Sequence, residues 1–380
     1  MQKPRLTWAE IDLKALAHNI NEIRKQTPGN TAMMAAVKAN AYGHGAVEVA
    51  RTVLENGVSH LAVARIEEAV SLREAGIDAP ILLLGYCQNE YVDEAIDLNI
   101  HVSVNSVADA KRLSTEALKH GKTLFIHIKI DTGMGRLGIV TNGNVKNAFL
   151  DVQEIVSMEG LHVEGIFTHF AKADSIEKSS ALAQLNDFTE LLSMISEAGI
   201  IIKYIHAANS AASIEMPNAH FNMVRPGISI YGLWPSNEVK RSDVELRPVM
   251  SLKSQIIQLK AVDAGFRVSY GGTYVTQKPT VIATVPVGYG DGYDRGFTNK
   301  GVMLVRGVRA NIVGRVCMDL TMIDVGHIKD VAVGDEVVVF GSQGSEQISA
   351  DELADLINTI NYEIVTTIMP RVKRVYVGQK

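Results

Sequence analysis

The sequence predicts an α/β protein: an N-terminal (β/α)8 barrel of the TIM type followed by a mostly β C-terminal domain. Eight short apolar runs, at residues 33–37, 61–64, 81–84, 101–104, 124–130, 163–168, 204–207 and 222–224, recur with room for a helix between most of them. After residue 236 the texture changes, and β-branched runs at 280–287, 302–305, 312–316 and 336–340 stand between Gly and Asp turns. The expected division is therefore 1–236 and 237–380, with a first strand within residues 1–12 expected to pair with the second domain. A doubly wound sheet would share the alternation, but eight units favour closure.

The elements follow in order. A strand-like segment at 6–11 precedes the barrel, and the first barrel strand runs straight into Lys38 and a small, glycine-punctuated turn before a helix at 45–54. Helical spacing recurs at 66–75, 108–120, 144–158 and 181–198, and Gly76, Gly121, Gly160 and Gly199 close these stretches in the manner of C-caps. In the second domain a single late helix is expected at 350–360.

Composition excludes several classes. The 380 residues carry 37 Lys and Arg against 42 Asp and Glu, a net charge of −5 with neither sign gathered into a block, which argues against nucleic acid or an anionic membrane as partner. The opening residues lack an apolar h-region and no segment reaches spanning length, so a cytoplasmic protein is expected. Cys87 and Cys317 read as two reduced thiols. No metal-ligand spacing occurs, and the eleven histidines read as individual residues.

Chemistry-bearing residues fall at strand ends. Lys38 sits where an amine with apolar neighbours loses hydration, which disfavours the ammonium and makes a Schiff-base nucleophile; alone, it also reads as a solvated strand terminus. Tyr42, four residues on, can add a phenolic donor. Phosphate tends to bind near the loops after barrel strands seven and eight, where Asn209-Ser210 and Arg225-Pro226-Gly227-Ile228 supply a hydroxyl and close-approaching amides. Taken singly, Ser210 reads as a helix N-cap and Gly227 as a turn glycine. A G-x-G-x-x-G string at 133–138 follows a strand, but no strong helix follows it, and a dinucleotide site is rejected.

The run Ala36-Val37-Lys38-Ala39-Asn40-Ala41-Tyr42-Gly43-His44-Gly45, with further segments along almost the whole chain, resembles the alanine racemases, fold-type III enzymes that use pyridoxal 5'-phosphate. That resemblance implies a homodimer with shared active sites that interconverts L- and D-alanine and supplies D-alanine for peptidoglycan. It makes Lys38 the cofactor lysine and one of two bases, with Tyr270, in Ser269-Tyr270-Gly271-Gly272, as the second base, brought by the partner subunit. A free phenol titrates near ~10, so such a base needs positive charge or strong hydrogen bonds nearby, for which His169 and Arg225 are the matched candidates. Arg225 facing the pyridine nitrogen can only donate to it, which weakens the electron sink and favours racemisation over transamination. Tyr42, Asn209, Ser210, Gly227, Ile228 and Tyr362 complete the implied cofactor set. Arg136 and, from the partner subunit's Cys317-Met318-Asp319 segment, the Met318 amide would meet the substrate carboxylate, Lys129 is the position that is commonly carbamylated, and Tyr289 and Tyr362 would narrow the entrance. Lys172 stands where a small polar residue is expected. The competing readings are a serine or broader-specificity racemase, a basic amino acid decarboxylase, against which Arg225 argues, and a barrel-only cofactor-binding protein, which would not need Tyr270.

Overall fold

The computed structural model describes residues 6–141, 143–242 and 244–378, so of the 1–12 segment expected to hold the first strand, residues 1–5 lie outside the described residues. Two compact units emerge: one holds the described residues of Met1–Ala15, Tyr42–Gly45 and Pro248–Lys380, the other Leu16–Ala41 and Ala46–Arg247.

The second of these is a closed barrel. Its parallel strands are, in order, Ala32–Ala36, His60–Val63, Ile81–Leu83, Ile100–Val104, Leu124–Asp131, Leu161–Phe167, Tyr204–His206 and Met223–Val224. Each pairs with the next, and the eighth pairs with the first, so the ring closes without an edge. All eight runs read from the sequence are strands. Residues from five of them, Met34, Ala62, Leu82, Phe167 and Met223, pack into one buried cluster. Between strands lie the helices Ala46–Glu55, Ile66–Glu74, Val107–Lys119, Val145–Val156 and Ser179–Glu197, all expected, and a short one, Val92–Asp97, whose single apolar turn gave no periodic signal. Gly76, Gly121 and Gly199 stand just past their helices with φ of +78°, +64° and +72°, and Gly160, at +78°, turns the chain into the sixth strand.

The other unit is built on a ten-stranded sheet. Thr7–Asp12 lies one strand in from an edge of that sheet, antiparallel to Met250–Gln255 on one side and parallel to the edge strand Lys373–Val377 on the other. Here the sequence reading needs two corrections. Residues 313–316 are not strand; the strand is Val308–Ile312, which forms a hairpin with Val302–Val305. The late helix is two helices, Ala350–Ile357 and Asn361–Thr366, because Asn358 takes φ +58° and ends the first. Among the described residues no helix is long and apolar enough to cross a membrane.

Candidate active site

The chain leaves the first barrel strand through a conformation that the sequence did not announce. Ala39, Asn40, Ala41 and Tyr42 hold φ between +51° and +54°, one turn of left-handed helix directly after Lys38. Such backbone costs an L-residue roughly 1–2 kcal/mol, and only asparagine among the four tolerates it readily. Specific bonds hold the turn: Glu68 Oε1 accepts from the Ala39 amide, Asn40 Oδ1 accepts from the Ala46 amide at 2.9 Å, and Ala41 N donates to Val37 O at 2.8 Å. Glu68 also accepts from Ala64 N and Arg65 N at 2.8 and 3.1 Å, so one carboxylate ties the lysine turn to the second strand's end. Sequence reasoning missed Glu68, because it sits three residues after an arginine rather than after a Ser, Thr, Asp or Asn that would mark a capping box.

Lys38 is half-buried at this strand end. Burial, then the Arg136 guanidinium, pull its ammonium below the usual range, with Glu68 opposing. On the fifth strand, burial followed by Arg225 lowers Lys129 to about 7; its Nζ donates to Ile130 O at 2.8 Å and lies 5.2 Å from the Phe167 ring centroid. The 133–138 loop winds around Asp131, whose carboxylate accepts from the amides of Gly133, Met134, Gly135 and Arg136 at 2.8–3.1 Å. Burial pushes that carboxyl up, but the four amides together hold it below its ordinary value. The glycines serve a carboxylate-centred turn that presents Arg136, and a short strand, Ile139–Val140, follows in place of a helix.

Behind the seventh and eighth strands the donors converge. Asn209, not Ser210, is the N-cap of Ser210–Glu215, with its Oδ1 accepting from Ala212 N at 3.0 Å. That corrects the bland reading of Ser210, which stands one residue inside the helix. Its Oγ accepts from Gly227 N at 2.8 Å and from Ser229 N at 3.3 Å. Ser229 Oγ is buried without a hydrogen-bond partner. Gly227 and Ile228 open the 3-10 turn Ile228–Tyr231, whose first amides have no carbonyl within the turn. Tyr231 ties this cradle to the lysine strand by donating to Ala36 O at 2.8 Å.

Arg225 is buried, and its guanidinium spends Nη2 on Thr168 O at 2.7 Å, Ala207 O at 3.2 Å and His169 Nδ1 at 3.3 Å. Burial and Arg136 push Arg225 down to about 9, which leaves it cationic at neutral pH. His169 is pushed well below its ordinary value by burial and then by Arg225, Lys129, Arg136 and Lys38. One imidazole is therefore surrounded by four basic side chains. Lys172 is exposed on the loop beyond it.

The remaining expected residues belong to the sheet unit. Tyr42 and Tyr362 have ring centroids 6.3 Å apart. Tyr270 lies 72% exposed on a tight turn entered through Ser269, itself at φ +63°, whose Oγ donates to Arg315 O at 2.7 Å. Tyr289 N and Gly290 N donate to Cys317 O and Met318 O at 3.1 and 2.8 Å, an approach so close that a Cβ on Gly288 would fall 2.2 Å from Cys317 O. That unit thus gathers Tyr289, Cys317 and Met318, with Tyr270 linked through Ser269 to Cys317 Sγ at 3.5 Å.

The chemistry of the barrel's donor set suits an anionic cofactor with an electrophilic carbonyl. It offers an amine of lowered basicity, a cradle of amides and hydroxyls with one buried hydroxyl unpartnered, and a concentration of basic groups that an anion would neutralise. Pyridoxal 5'-phosphate fits these demands.

Comparison with known proteins gives a consistent result. Residues 11–235 match the family model "Alanine racemase, N-terminal domain" and residues 249–376 match "Alanine racemase, C-terminal domain". The chain is 52% identical over 374 residues to an alanine racemase of Desulfosudis oleivorans, covering 97% of this chain and 96% of that one. It is similar to the solved alanine racemase of Clostridium difficile 630, with a TM-score of 0.94 at 40% identity, covering 99% and 97% of the two chains. It also resembles an alanine racemase from Bartonella henselae whose structure carries covalently bound pyridoxal phosphate, with a TM-score of 0.87 at 28% identity, over 98% of this chain and 100% of that one.

Proposed function

The chain belongs to the alanine racemase family and is an isomerase, and on that premise we propose that it interconverts L- and D-alanine by a two-base mechanism with pyridoxal 5'-phosphate. The observation that carries the reading is the pairing, in one barrel mouth, of a lysine of lowered basicity with a buried arginine that can only donate.

When bound, the cofactor supplies a carbonyl that condenses with an amine and a conjugated ring that acidifies the substrate Cα–H. Lys38 would hold that carbonyl at rest and, once released by the substrate amine, accept or return a proton on one face of Cα. Ser210, with the amides of Gly227 and Ile228, would hold the phosphate, assisted by Tyr42 and Tyr362, and Asn209 fixes the helix turn that presents Ser210. Arg225 would face the ring nitrogen as a donor, limiting charge withdrawal so that reprotonation outruns side reactions. Arg136 and the amide of the partner subunit's Met318 would orient the substrate carboxylate. The partner subunit's Tyr270 would serve the opposite face in a homodimer. His169 accepts from Arg225 at Nδ1, which leaves its Nε2–H free to donate to that phenolic oxygen. The product role we assign is supply of D-alanine for peptidoglycan in the cytoplasm.

The deciding test is chiral chromatography of L-alanine incubated with the protein and pyridoxal phosphate. D-alanine dependent on the cofactor is the expected result; ethylamine or pyruvate in its place would overturn the reading.

Lys129 gives a second prediction. An amine lowered to about 7 is largely unprotonated at pH 8, so it can add CO2 with formation of an N–C bond and loss of a proton. The resulting anion would relieve the repulsion that Lys129 shares with Arg136 and Arg225. Incubation with 13C-bicarbonate at pH 8 should produce a carbamate resonance, missing in Lys129→Met; identical spectra would show that the lysine stays unmodified.

A further inference from the structure

The histidines that read as isolated in the sequence are not isolated in the barrel. Arg225 Nη1 lies 2.8 Å from His206 Nδ1, His206 Nε2 lies 2.9 Å from His127 Nδ1, and His127 Nε2 lies 3.3 Å from His101 Nδ1. The three rings come from the seventh, fifth and fourth strands, and all are buried.

Proton positions along this file follow from its first member. A guanidinium has N–H donors and no acceptor, so His206 Nδ1 must be bare and the proton of His206 must sit on Nε2. That N–H donates to His127 Nδ1, which places the His127 proton on Nε2; the same step fixes His101. Protonating any of the three rings twice would set two N–H donors face to face across a buried contact. Only one arrangement satisfies every link: all neutral, all protonated at Nε2, all donating away from Arg225.

A second feature points to the same file. The sixth strand runs between the fifth and the seventh, and its residue at the crossing is Gly165, paired with His127 on one side and Tyr204 on the other. Gly165 has no left-handed φ to explain a glycine. A Cβ there would fall 2.2 Å from His127 Nδ1, the atom that accepts from His206. The glycine is needed for room, and the room is filled by this hydrogen bond.

We propose that His127 and His101 are positioning residues for Arg225: with His206 they form a one-way chain of neutral imidazoles that anchors the guanidinium through Nη1. Each N–H given away makes the opposite ring nitrogen a better acceptor, so the chain tightens its hold on Arg225 step by step. Nη2 is committed and one Nη1 N–H goes to His206, so Nε–H and the second Nη1 N–H remain as the donors that Arg225 can turn to the cofactor ring. This role rests on the racemase reading, whereas the proton positions do not.

The first test is 15N NMR of histidine-labelled full-length protein, with pyridoxal phosphate bound. The three buried rings should each carry a proton on Nε2 and none on Nδ1; a ring protonated at Nδ1 or at both nitrogens would overturn the proposal whatever the activity. The second is Gly165→Ala, which should shift the His206 resonances and lower kcat by about tenfold with KM little changed, as loss of an outer partner of a catalytic group does. Gly165→Ala combined with His127→Ala gives the added methyl room without restoring the bond. It should recover thermal stability and not kcat; recovery of kcat would assign the loss to crowding and overturn the positioning role. His127→Ala alone adds no bulk and should reproduce the loss.

Discussion

Lys38→Ala is expected to lower racemisation by at least about 10⁴-fold, the scale on which removal of a covalent catalyst acts. Borohydride treatment with pyridoxal phosphate should no longer fix a pyridoxyl group on the peptide that spans residue 38. Four consecutive left-handed residues follow Lys38, and strain of that kind persists only where surrounding contacts enforce it, here Glu68 on the Ala39 amide and Asn40 on Ala46. Burial and Arg136 then keep the amine from its ordinary basicity, so that a larger share of it is nucleophilic at neutral pH. Lys38→Arg keeps a cation and removes the primary amine, and it should lose as much as alanine. The rival is Lys129, also lowered and also near Arg136. A pyridoxyl label that moves to residue 129 in wild-type protein, or activity that survives Lys38→Ala, would transfer the catalytic role to that lysine.

The barrel was legible because its strands are buried on both faces, so they read as uninterrupted apolar runs, and because glycines with left-handed φ close the helices between them. The strand-end location of Lys38, Ser210, Gly227 and Arg225 came from the same pattern. What stayed hidden depended on contacts between distant residues. Nothing local in Ala39-Asn40-Ala41-Tyr42 announces a left-handed turn, since three of the four residues disfavour it and Glu68 supplies the compensation from another element. Asn209 and Ser210 are both good caps by composition, and only the bond from Ala212 N decides between them. His101, His127 and His206 are separated by 26 and 79 residues, and their alignment requires the strand register to be known. Nothing local marks Gly165, because the atom that forbids a side chain there belongs to the neighbouring fifth strand. The late helix was misjudged for a smaller reason: Asn358 is an acceptable helical residue until its φ is seen.

Tyr270→Phe is the second substitution with a large expected effect, about 10²–10⁴-fold on racemisation in both directions, because one proton donor and acceptor is removed while the ring remains. Tyr270 is 72% exposed, so the folded state should lose little, within about 0.5 kcal/mol. A racemase with two bases on opposite faces has a signature when one is lost. In deuterated water, the Cα–H of one enantiomer should still exchange through Lys38 without inversion, and that of the other should not; equal loss from both, or near-normal racemisation, would sink the two-base assignment. Subunit sharing can be tested with the same variant. If each site combines Lys38 of one subunit with the partner subunit's Tyr270, mixing inactive Lys38→Ala and Tyr270→Phe proteins under exchange creates heterodimers with one intact site and one doubly damaged site. Random pairing makes half the dimers mixed, each with half its sites intact, so about a quarter of the wild-type activity should return. Were both bases drawn from the same subunit, every site in the mixture would lack one of them, and no activity would return at any ratio.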